Sequence, residues 1–414
     1  MKKNLGKEGE IINDDSTINL GLIGCGSHAF RNILPSLRFI DEANLVATCD
    51  INSEKAKMYS DKYGAKNYFT DFKKMLDLNL DGVIVITSFD LETGKPTYPE
   101  ITAKILESNT NVFIEKPPAS SRIHYEIIEE AEKNSDAFVQ IGFKMMFAPA
   151  IEKVKKLIQR SDFGKVQSYE ISYAVDLPSD IRNLMKPESR RFLDDIVHPI
   201  SQIVSLFDMP ESMEYFTSGE SDGFALLDHG LYKGVLHMTS GVKKIGPLET
   251  LKIVGEGPMI ELKSGEEIRY YNNRDVESYS RGTNFVGKKN HIDLYTPSTR
   301  RPLGALSLHS HALYGYINEL NYFVNCIKNR KKPKKSGLNH GKKVMKIYDM
   351  FSFPPNEKHS LNEEVRVKSN NNYSQKKLNC PNCNEKEMKL KDGWNFTCKK
   401  CGITKQSSEV FNCD

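Results

Sequence analysis

The sequence predicts an α/β protein with a separate small cysteine-rich unit near residue 380. Three observations lead to this prediction. A glycine-rich turn over residues 24–29 connects an apolar strand to an amphipathic helix, strand-like and helix-like segments then alternate to about residue 142, and two Cys-x-x-Cys pairs follow residue 379. Alternation of this kind is typical of a parallel sheet covered by helices.

The glycine-rich turn has the context that a dinucleotide-binding site needs. Residues 18–23 read as a buried parallel strand, and residues 30–40 as an amphipathic helix whose N-terminus offers free N–H groups to phosphates. Gly24 allows the tight turn, Gly26 lets the backbone approach a pyrophosphate, and Ala29 permits close helix–strand packing. We therefore predict a Rossmann domain, with an ordinary tight turn as the alternative. The turn residues predicted to bind the cofactor are Gly24, Cys25, Gly26, Ser27, His28 and Ala29.

An acidic residue ends the second predicted strand, residues 45–49. Asp50 lies twenty-six positions after Gly24, and a carboxylate there can accept hydrogen bonds from both ribose hydroxyls of NAD. The same carboxylate would repel the 2′-phosphate of NADP. NAD is therefore the expected cofactor, and NADP is the alternative because Lys55 or Lys57 could reach a phosphate.

A charged pair follows a later apolar strand, residues 112–114. Glu115 and Lys116 come directly after it and precede two prolines. Ligands of open α/β sheets bind at the carboxyl ends of the strands, so Lys116 is a candidate catalytic residue, and both Glu115 and Lys116 are candidate cofactor contacts. A surface lysine is the alternative. The other elements predicted up to residue 142 are helices 53–63, 71–76, 99–107 and 123–133 and strands 67–69, 82–87 and 137–141.

The ordered motifs resemble those of the Gfo/Idh/MocA family (glucose–fructose oxidoreductase, inositol dehydrogenase, rhizopine catabolism) of NAD(P)-dependent oxidoreductases. The resemblance covers residues 18 to 352. Its matching stretches are GLIGCGSHA at 21–29, CD at 49–50, DGVIVIT at 81–87, FIEKPPASS at 113–121, QIGFKMMFAPAIEKVKKLI at 140–158, GKVQSYEISYA at 164–174, DDIVHPISQIVSLF at 194–207 and ELNYFVNCIKNRKKP at 319–333.

The resemblance implies a Rossmann domain over residues 18–142 and an α+β substrate domain over residues 143–353. The second domain would contain an open, mostly antiparallel sheet that covers the nicotinamide and packs between subunits, giving a homodimer or homotetramer. Strand-like segments separated by turn residues agree with this expectation. They are residues 167–175, 213–217, 223–227, 232–239 and 248–255.

The resemblance also implies catalytic roles. In the family, the lysine of the Glu-Lys-Pro motif and a histidine in an Asp-x-x-x-His pattern share proton transfer, and these positions are Lys116, Asp194 and His198 here. On a helix, Asp194 and His198 would lie on one face, so the aspartate could orient the ring or bind a substrate hydroxyl. We assign proton transfer to His198 and polarisation of the substrate oxygen to Lys116, although the two roles could be exchanged. Asp194 as a helix N-cap and His198 as an ordinary helix histidine are the alternatives.

Four features depart from the family pattern and leave the substrate open. Ser201 stands where an aspartate is frequent, Tyr98 where a histidine is frequent, and Met145 and Met146 where an arginine is common; the loop 88–97 is longer than usual. The expected activity is hydride transfer between nicotinamide and a hydroxyl or keto carbon of a sugar, nucleotide-sugar or cyclitol. A redox-neutral NAD-dependent glycosidase or epimerase and a non-catalytic dinucleotide-binding sensor are the alternatives.

The cysteine-rich unit is predicted to be a zinc ribbon over residues 378–414, after a polar linker over residues 354–377. Two Cys-x-x-Cys pairs separated by fourteen residues are typical of a tetrahedral four-thiolate Zn²⁺ site, which would be structural. A unit this small cannot build a sufficient apolar core without the metal. The ribbon could also contact a partner protein. The predicted ligands are Cys380, Cys383, Cys398 and Cys401.

Composition supports a cytoplasmic enzyme. The net charge of +4 does not indicate a nucleic-acid partner. No segment is apolar enough to span a membrane, and residues 1–17, predicted to be flexible, lack the apolar core of a signal peptide. Unpaired Cys25, Cys49 and Cys326 agree with a reducing compartment.

Overall fold

The architecture is that of a computed structural model of the chain. The described residues are 17–218, 221–241, 249–272, 292–297, 306–361, 388–392, 395–398 and 404–406. The chain divides into two compact units, Met1–Asn362 and Glu363–Asp414. The predicted flexible segment 1–17, apart from its last residue, and the predicted linker from residue 362 onward lie outside the described residues.

A six-stranded parallel sheet forms the first part of the larger unit. Its strands are β1 (Ile18–Ile23), β2 (Ala43–Cys49), β3 (Asn67–Phe69), β4 (Gly82–Val85), β5 (Asn111–Glu115) and β6 (Val139–Gly142). They lie in the order β3-β2-β1-β4-β5-β6, and all neighbours are parallel. The order reverses between β1 and β4, the point at which doubly wound sheets bind ligands. The predicted Rossmann-like domain is confirmed.

The predicted helix after the glycine turn differs in type and length. The backbone forms a π-helix over Ala29–Ile33 and then the short α-helix α1 (Leu34–Leu37). Pro35 has no N–H and cannot donate to the carbonyl of Arg31 four residues earlier. That carbonyl oxygen lies 2.6 Å from His311 Nε2, so a side chain distant in sequence replaces the missing helical hydrogen bond.

The other helices of this unit surround its two sheets. They are α2 (Ser53–Tyr63), α3 (Phe72–Met75), α4 (Tyr98–Glu107), α5 (Arg122–Lys133), α6 (Pro149–Ile158), α7 (Pro187–Phe207), α8 (Leu306–Leu313), α9 (Tyr316–Lys328) and α10 (Leu338–Met350). None of these described helices has the length and apolar composition needed to cross a bilayer.

Helix α9 returns late in the chain and packs against the first sheet. The ring of Phe323 lies 5.8 Å from that of Phe113 and 5.9 Å from that of Phe138, measured between centroids. A Cβ at Gly82 would lie 3.1 Å from the same phenylalanine ring and 2.8 Å from Ile327 Cδ1, so glycine permits this close approach. The core of the nucleotide-binding half therefore includes residues from near position 320.

The second sheet has nine strands and lies in the same unit. They are β7 (Ser168–Tyr173), β8 (Ser212–Ser218), β9 (Asp222–Asp228), β10 (Lys233–Met238), β11 (Glu249–Val254), β12 (Met259–Lys263), β13 (Glu267–Tyr271), β14 (Ile292–Tyr295) and β15 (His359–Ser360). β7 and β10 are parallel, and the other described neighbours are antiparallel. The predicted second sheet is confirmed as a mixed sheet, and its last four strands were not predicted.

The small unit contains a three-stranded antiparallel sheet. Its strands are β16 (Met388–Asp392), β17 (Asn395–Cys398) and β18 (Thr404–Gln406). Of the predicted zinc ligands, the backbone of Cys398 ends β17, whereas Cys380, Cys383 and Cys401 lie outside the described residues. Among the residues that can be described, no cluster of histidine, cysteine and acidic side chains is arranged to hold a metal ion. The predicted zinc site is therefore not shown.

Candidate active site

The glycine turn lies directly beyond β1, at the edge where β1 and β4 diverge. Gly24 has a φ of +95°, and a Cβ there would lie 2.0 Å from the carbonyl oxygen of Ile86. Both the positive φ and the close approach require glycine. Gly26 is different, because a Cβ there would meet no described atom within 4 Å. Open space beside Gly26 is what a bound pyrophosphate would need, so the turn fits the predicted cofactor.

Asp50 binds the same turn from the end of β2. Its Oδ2 accepts a hydrogen bond from the Cys25 amide at 2.8 Å, and its Oδ1 accepts one from the Asn52 amide at 2.9 Å. Each carboxylate oxygen retains acceptor capacity, so Asp50 can still bind ribose hydroxyls. Cys25 is buried, and burial followed by the charge of Asp50 raises the pKa of its thiol to about 12. Its thiol therefore stays protonated at neutral pH.

His28 connects the turn to the end of β5. Its Nδ1 lies 3.0 Å from the amide nitrogen of Asn32, which can only donate, so Nε2 carries the proton and donates to Glu115 Oε1 at 3.0 Å. Burial alone would raise the pKa of Glu115, but the interaction with His28, including its hydrogen bond, and the charges of Lys116 and Lys144 lower it below its ordinary value. Glu115 is thus a buried carboxylate oriented by the cofactor turn.

Lys116 reaches from the end of β5 to helix α7. Its Nζ donates to Asp194 Oδ1 at 2.7 Å and to the Asp194 carbonyl oxygen at 3.1 Å, joining residues 78 positions apart. The lysine side chain is 14% exposed and that of the aspartate 41%. Lys116 is thus largely buried and held in one direction, unlike an ordinary surface lysine.

Helix α7 carries both Asp194 and His198. It begins at Pro187 with Lys186 as its N-cap, so Asp194 is not an N-cap. The aspartate binds Lys116 rather than the imidazole, and His198 Nδ1 has no hydrogen-bond partner among the described residues. Burial, and then the charges of nearby lysines and His28, hold the pKa of His198 well below its ordinary value. The ring is therefore neutral at pH 7 and able to accept a proton.

Four further ionisable residues that the sequence did not single out lie in this region. Lys144 follows β6 in a 3₁₀ turn, and its Nζ donates to the Tyr316 hydroxyl at 2.9 Å. Glu249 accepts a hydrogen bond from Gln202, and burial raises its pKa to about 7. Burial also raises the pKa of Glu319 well above its usual range. Only Lys144 had a recognisable sequence signal, since it comes two residues after a strand of the same sheet edge.

Two positions that depart from the family pattern already have protein partners. Ser201 Oγ lies 3.1 Å from His340 Nε2, on α10. The Tyr98 hydroxyl donates to the carbonyl oxygen of Thr87 at 3.0 Å. Both side chains are buried, and each hydroxyl already has a partner within the protein.

Comparison with known proteins agrees with this geometry. The family model named GFO_IDH_MocA, "Oxidoreductase family, NAD-binding Rossmann fold", matches residues 18–143. Among curated proteins, the myo-inositol 2-dehydrogenase of Thermotoga maritima is 23% identical over 335 residues, 77% of this chain and 91% of the relative. The family model thus matches the part of the chain that contains the glycine turn, and the relative aligns over most of the chain.

Other matches are shorter or structural. Oxidoreductase P35 of Formosa agariphila is 26% identical over 157 residues, so that the aligned part spans 38% of this chain and about half, 47%, of the relative. Among solved structures, levoglucosan dehydrogenase in complex with NADH and levoglucosan has a TM-score of 0.68 at 16% identity, covering 84% of this chain and 100% of that one. At this identity the structural likeness shows the fold.

Proposed function

We propose that the protein is an NAD(P)-dependent dehydrogenase that transfers hydride between nicotinamide and a hydroxyl or keto carbon of a carbohydrate-type substrate. One observation carries the proposal. The Lys116 ammonium leaves the carboxyl end of β5 and is held by Asp194 at 2.7 Å, while the neighbouring Glu115 is hydrogen-bonded to His28 of the glycine turn. The dinucleotide-binding turn and the candidate catalytic pair thus belong to one hydrogen-bonded arrangement.

The residues proposed to hold the cofactor are those of the turn and the acid that follows β2. Gly26 leaves room for the pyrophosphate, Ser27 and His28 begin the helix that follows, and Asp50 offers carboxylate oxygens to the ribose. Asp50 supports NAD over NADP, and Lys57 adds to this because it is paired with Asp61 at 2.6 Å. A bound nicotinamide would supply the hydride acceptor or donor.

The proposed roles of the protein side chains follow from their charge states. His198 is neutral and buried, so it can take the hydroxyl proton during oxidation and return it during reduction. Lys116 polarises the substrate oxygen with its ammonium, and Asp194 fixes the direction of that ammonium. The substrate class is inferred from the relatives, whose names are myo-inositol and levoglucosan dehydrogenases. A sugar, nucleotide-sugar or cyclitol is therefore proposed.

The test is reduced-nicotinamide absorbance with purified protein, NAD⁺ or NADP⁺, and a panel of sugars, nucleotide-sugars and cyclitols. Lys116→Ala should lower kcat by about 10²- to 10⁴-fold while dinucleotide binding, measured by fluorescence titration, is unchanged. Lys104→Ala is the matched control, because it also removes a lysine–carboxylate pair, at 2.8 Å to Glu107, but on an exposed helix face.

The outcomes separate the alternatives. Equal rates for Lys116→Ala and wild type would refute the catalytic assignment. Substrate conversion without net NADH would indicate a redox-neutral glycosidase or epimerase. Such an enzyme begins with the same hydride abstraction as a dehydrogenase but uses NAD only transiently, so NADH does not accumulate. Dinucleotide binding with no conversion of any substrate would indicate a sensor.

We also propose a homodimer or homotetramer formed through the second sheet. Phe216 and Phe224 face each other across β8 and β9 and are 37% and 42% exposed, and His237 stacks on Phe224 with a centroid distance of 4.3 Å. Exposed aromatic rings on one sheet face are typical of an interface. Light scattering should give a mass of two or four chains, and a monomer would refute this.

The zinc ribbon remains part of the proposal. The spacing of the four cysteines and the three-stranded antiparallel sheet of the small unit support it. Elemental analysis should find one zinc per chain in the full-length protein and none in Cys383→Ser. Retention of zinc by that variant would place the metal elsewhere. We also propose that this small unit contacts a partner protein.

A further inference from the structure

Lys144 is a cation in the candidate active site that no carboxylate neutralises at close range. Its Nζ donates to the Tyr316 hydroxyl at 2.9 Å and lies 4.4 Å from the centroid of the same ring and 5.4 Å from that of Tyr314. Within the described residues it forms no ion pair. Gly315, at φ +90°, lies so close to Lys144 that a Cβ would be 2.2 Å from its carbonyl oxygen, so the two tyrosines are held against the lysine.

The other charges of the site are already paired. Lys116 is bound to Asp194 at 2.7 Å, and Glu115 is bound to His28 at 3.0 Å. The charge of Glu115 acts on Lys144 and raises its pKa, but within the described residues no ion pair joins the two side chains. Lys144 therefore has no described carboxylate in direct contact with its ammonium.

The two remaining acids near Lys144 are poor counter-ions. Burial raises the pKa of Glu249 to about 7 and that of Glu319 well above its usual range. Both Glu319 carboxylate oxygens also have no hydrogen-bond partner among the described residues, so no direct contact joins this acid to Lys144. Burial lowers the pKa of Lys144; the charge of Glu115 opposes this, the charge of Lys116 adds to it, and Glu319 and Glu249 oppose it more weakly.

A ligand anion would give the Lys144 ammonium a carboxylate in direct contact. A buried charge without a partner is costly, and Lys144 is only partly buried, so it can be reached from the site. The imidazole of His198 offers a second unpartnered group, Nδ1, in a side chain that is 8% exposed. A single ammonium matches a carboxylate of charge −1 better than a phosphate ester of charge about −1.5 to −2.

We propose that Lys144 binds a carboxylate of the substrate, so that the substrate is an acidic polyol, such as a uronic or aldonic acid, rather than a neutral sugar. This inference rests on the proposed function, because it assumes that the site at Lys116 receives the substrate. Lys144 is then a specificity-determining residue that contacts the substrate without taking part in proton transfer.

The test is equilibrium binding to the NADH-loaded full-length protein, measured by calorimetry so that no turnover is needed. Matched pairs are compared: glucuronate with glucose, galacturonate with galactose, and gluconate with sorbitol, together with glucose 6-phosphate. At least one acid should bind about 10- to 100-fold more tightly than its neutral partner, the range expected for a charged hydrogen bond. Lys144→Met should abolish that difference, and Lys144→Arg should retain it.

Lys153→Met is the matched control variant. Lys153 lies 4.3 Å over the ring of Tyr295, so the control removes the same type of lysine–tyrosine contact on α6, outside the site. It should leave the preference for acids unchanged.

Equal binding of acids and neutral partners by the wild type, no measurable binding of any acid, or an unchanged preference in Lys144→Met would each overturn the inference. Tightest binding of glucose 6-phosphate would replace the carboxylate by a phosphate and overturn it as well. Oxidation of neutral sugars with no preference for acids would refute only the role of Lys144. Loss of NADH binding or of all hydride transfer would instead refute the proposed function.

Discussion

Two glycines of the same turn should respond in opposite ways to one added methyl group. At Gly24, alanine would have to adopt a φ of +95° with its Cβ 2.0 Å from the carbonyl oxygen of Ile86. The left-handed backbone costs roughly 1–2 kcal/mol and the overpacking about 1–3 kcal/mol. Gly24→Ala should therefore lower the free energy of unfolding by about 2–5 kcal/mol, a large part of the roughly 5–15 kcal/mol typical of a protein.

Gly26→Ala provides the contrast. Its φ lies outside the left-handed region and its Cβ would meet no described atom within 4 Å. Alanine leaves the unfolded chain less conformational freedom than glycine does. The free energy of unfolding should therefore stay equal or rise by up to about 1 kcal/mol. Dinucleotide affinity should nevertheless fall about 10- to 100-fold, because the methyl group would occupy the space where backbone N–H groups approach the pyrophosphate.

Urea denaturation and NADH fluorescence titration measure the two effects separately. The same pair of measurements on wild type, Gly24→Ala and Gly26→Ala gives a direct comparison within one turn. If Gly26→Ala lowered the free energy of unfolding as much as Gly24→Ala does, the backbone conformations assigned to these two glycines would be refuted. If Gly26→Ala bound NADH with wild-type affinity, the pyrophosphate would not lie at this turn.

Three further predictions concern charged groups. Asp194→Asn should lower kcat about 10²-fold or more with unchanged NADH binding, because Lys116 loses the carboxylate at 2.7 Å; an unchanged kcat would contradict this. Burial lowers the pKa of His340 from 6.5 to about 3, so the folded state keeps the ring neutral while the unfolded chain binds a proton below about pH 6.5. The free energy of unfolding should then fall with decreasing pH. In urea titrations at pH 5, His340→Gln should reduce this decrease by about 2 kcal/mol. A variant with the same pH dependence as the wild type would contradict the prediction. The pKa of Glu249 is raised from 4.5 to about 7, so its contribution to stability is lost as the pH rises through that value. Glu249→Gln should therefore increase the free energy of unfolding by up to about 3 kcal/mol at pH 8 and leave it unchanged at pH 4. Equal effects at the two pH values would contradict this assignment.

Local signals in the sequence were sufficient for several elements of the first domain. Helix α2 matches its prediction at both ends because the Asn52 side chain accepts a hydrogen bond from the Lys55 amide and Gly64 ends the helix at φ +78°. The same is true of β1, a short apolar run bounded by the glycine turn. The helix predicted over residues 30–40 is instead a π-helix followed by the short α1, and the hydrogen bond that Pro35 cannot donate to Arg31 comes from His311.

The sequence was less able to predict which residues the site residues contact. The sequence predicted Asp194 and His198 on one helix face, with Asp194 either orienting the ring or binding a substrate hydroxyl, and it did not predict that Asp194 pairs with Lys116 from β5. Lys144, Tyr316 and Glu319 were not recognised, because their charge states depend on burial and on each other, which spacing along a chain does not report.

The sequence by itself determined what depends on neighbours within a few residues: the strand–turn–helix of the cofactor site, the acid after β2 and the lysine after β5. Periodicity and capping act at this range, so they can be read without a structure. The tertiary structure decided which distant groups meet: α9 against the first sheet, Lys116 with Asp194, and Lys144 between tyrosines. These contacts set burial, and burial sets charge, because a low-dielectric environment shifts every pKa by an amount that only three-dimensional packing defines.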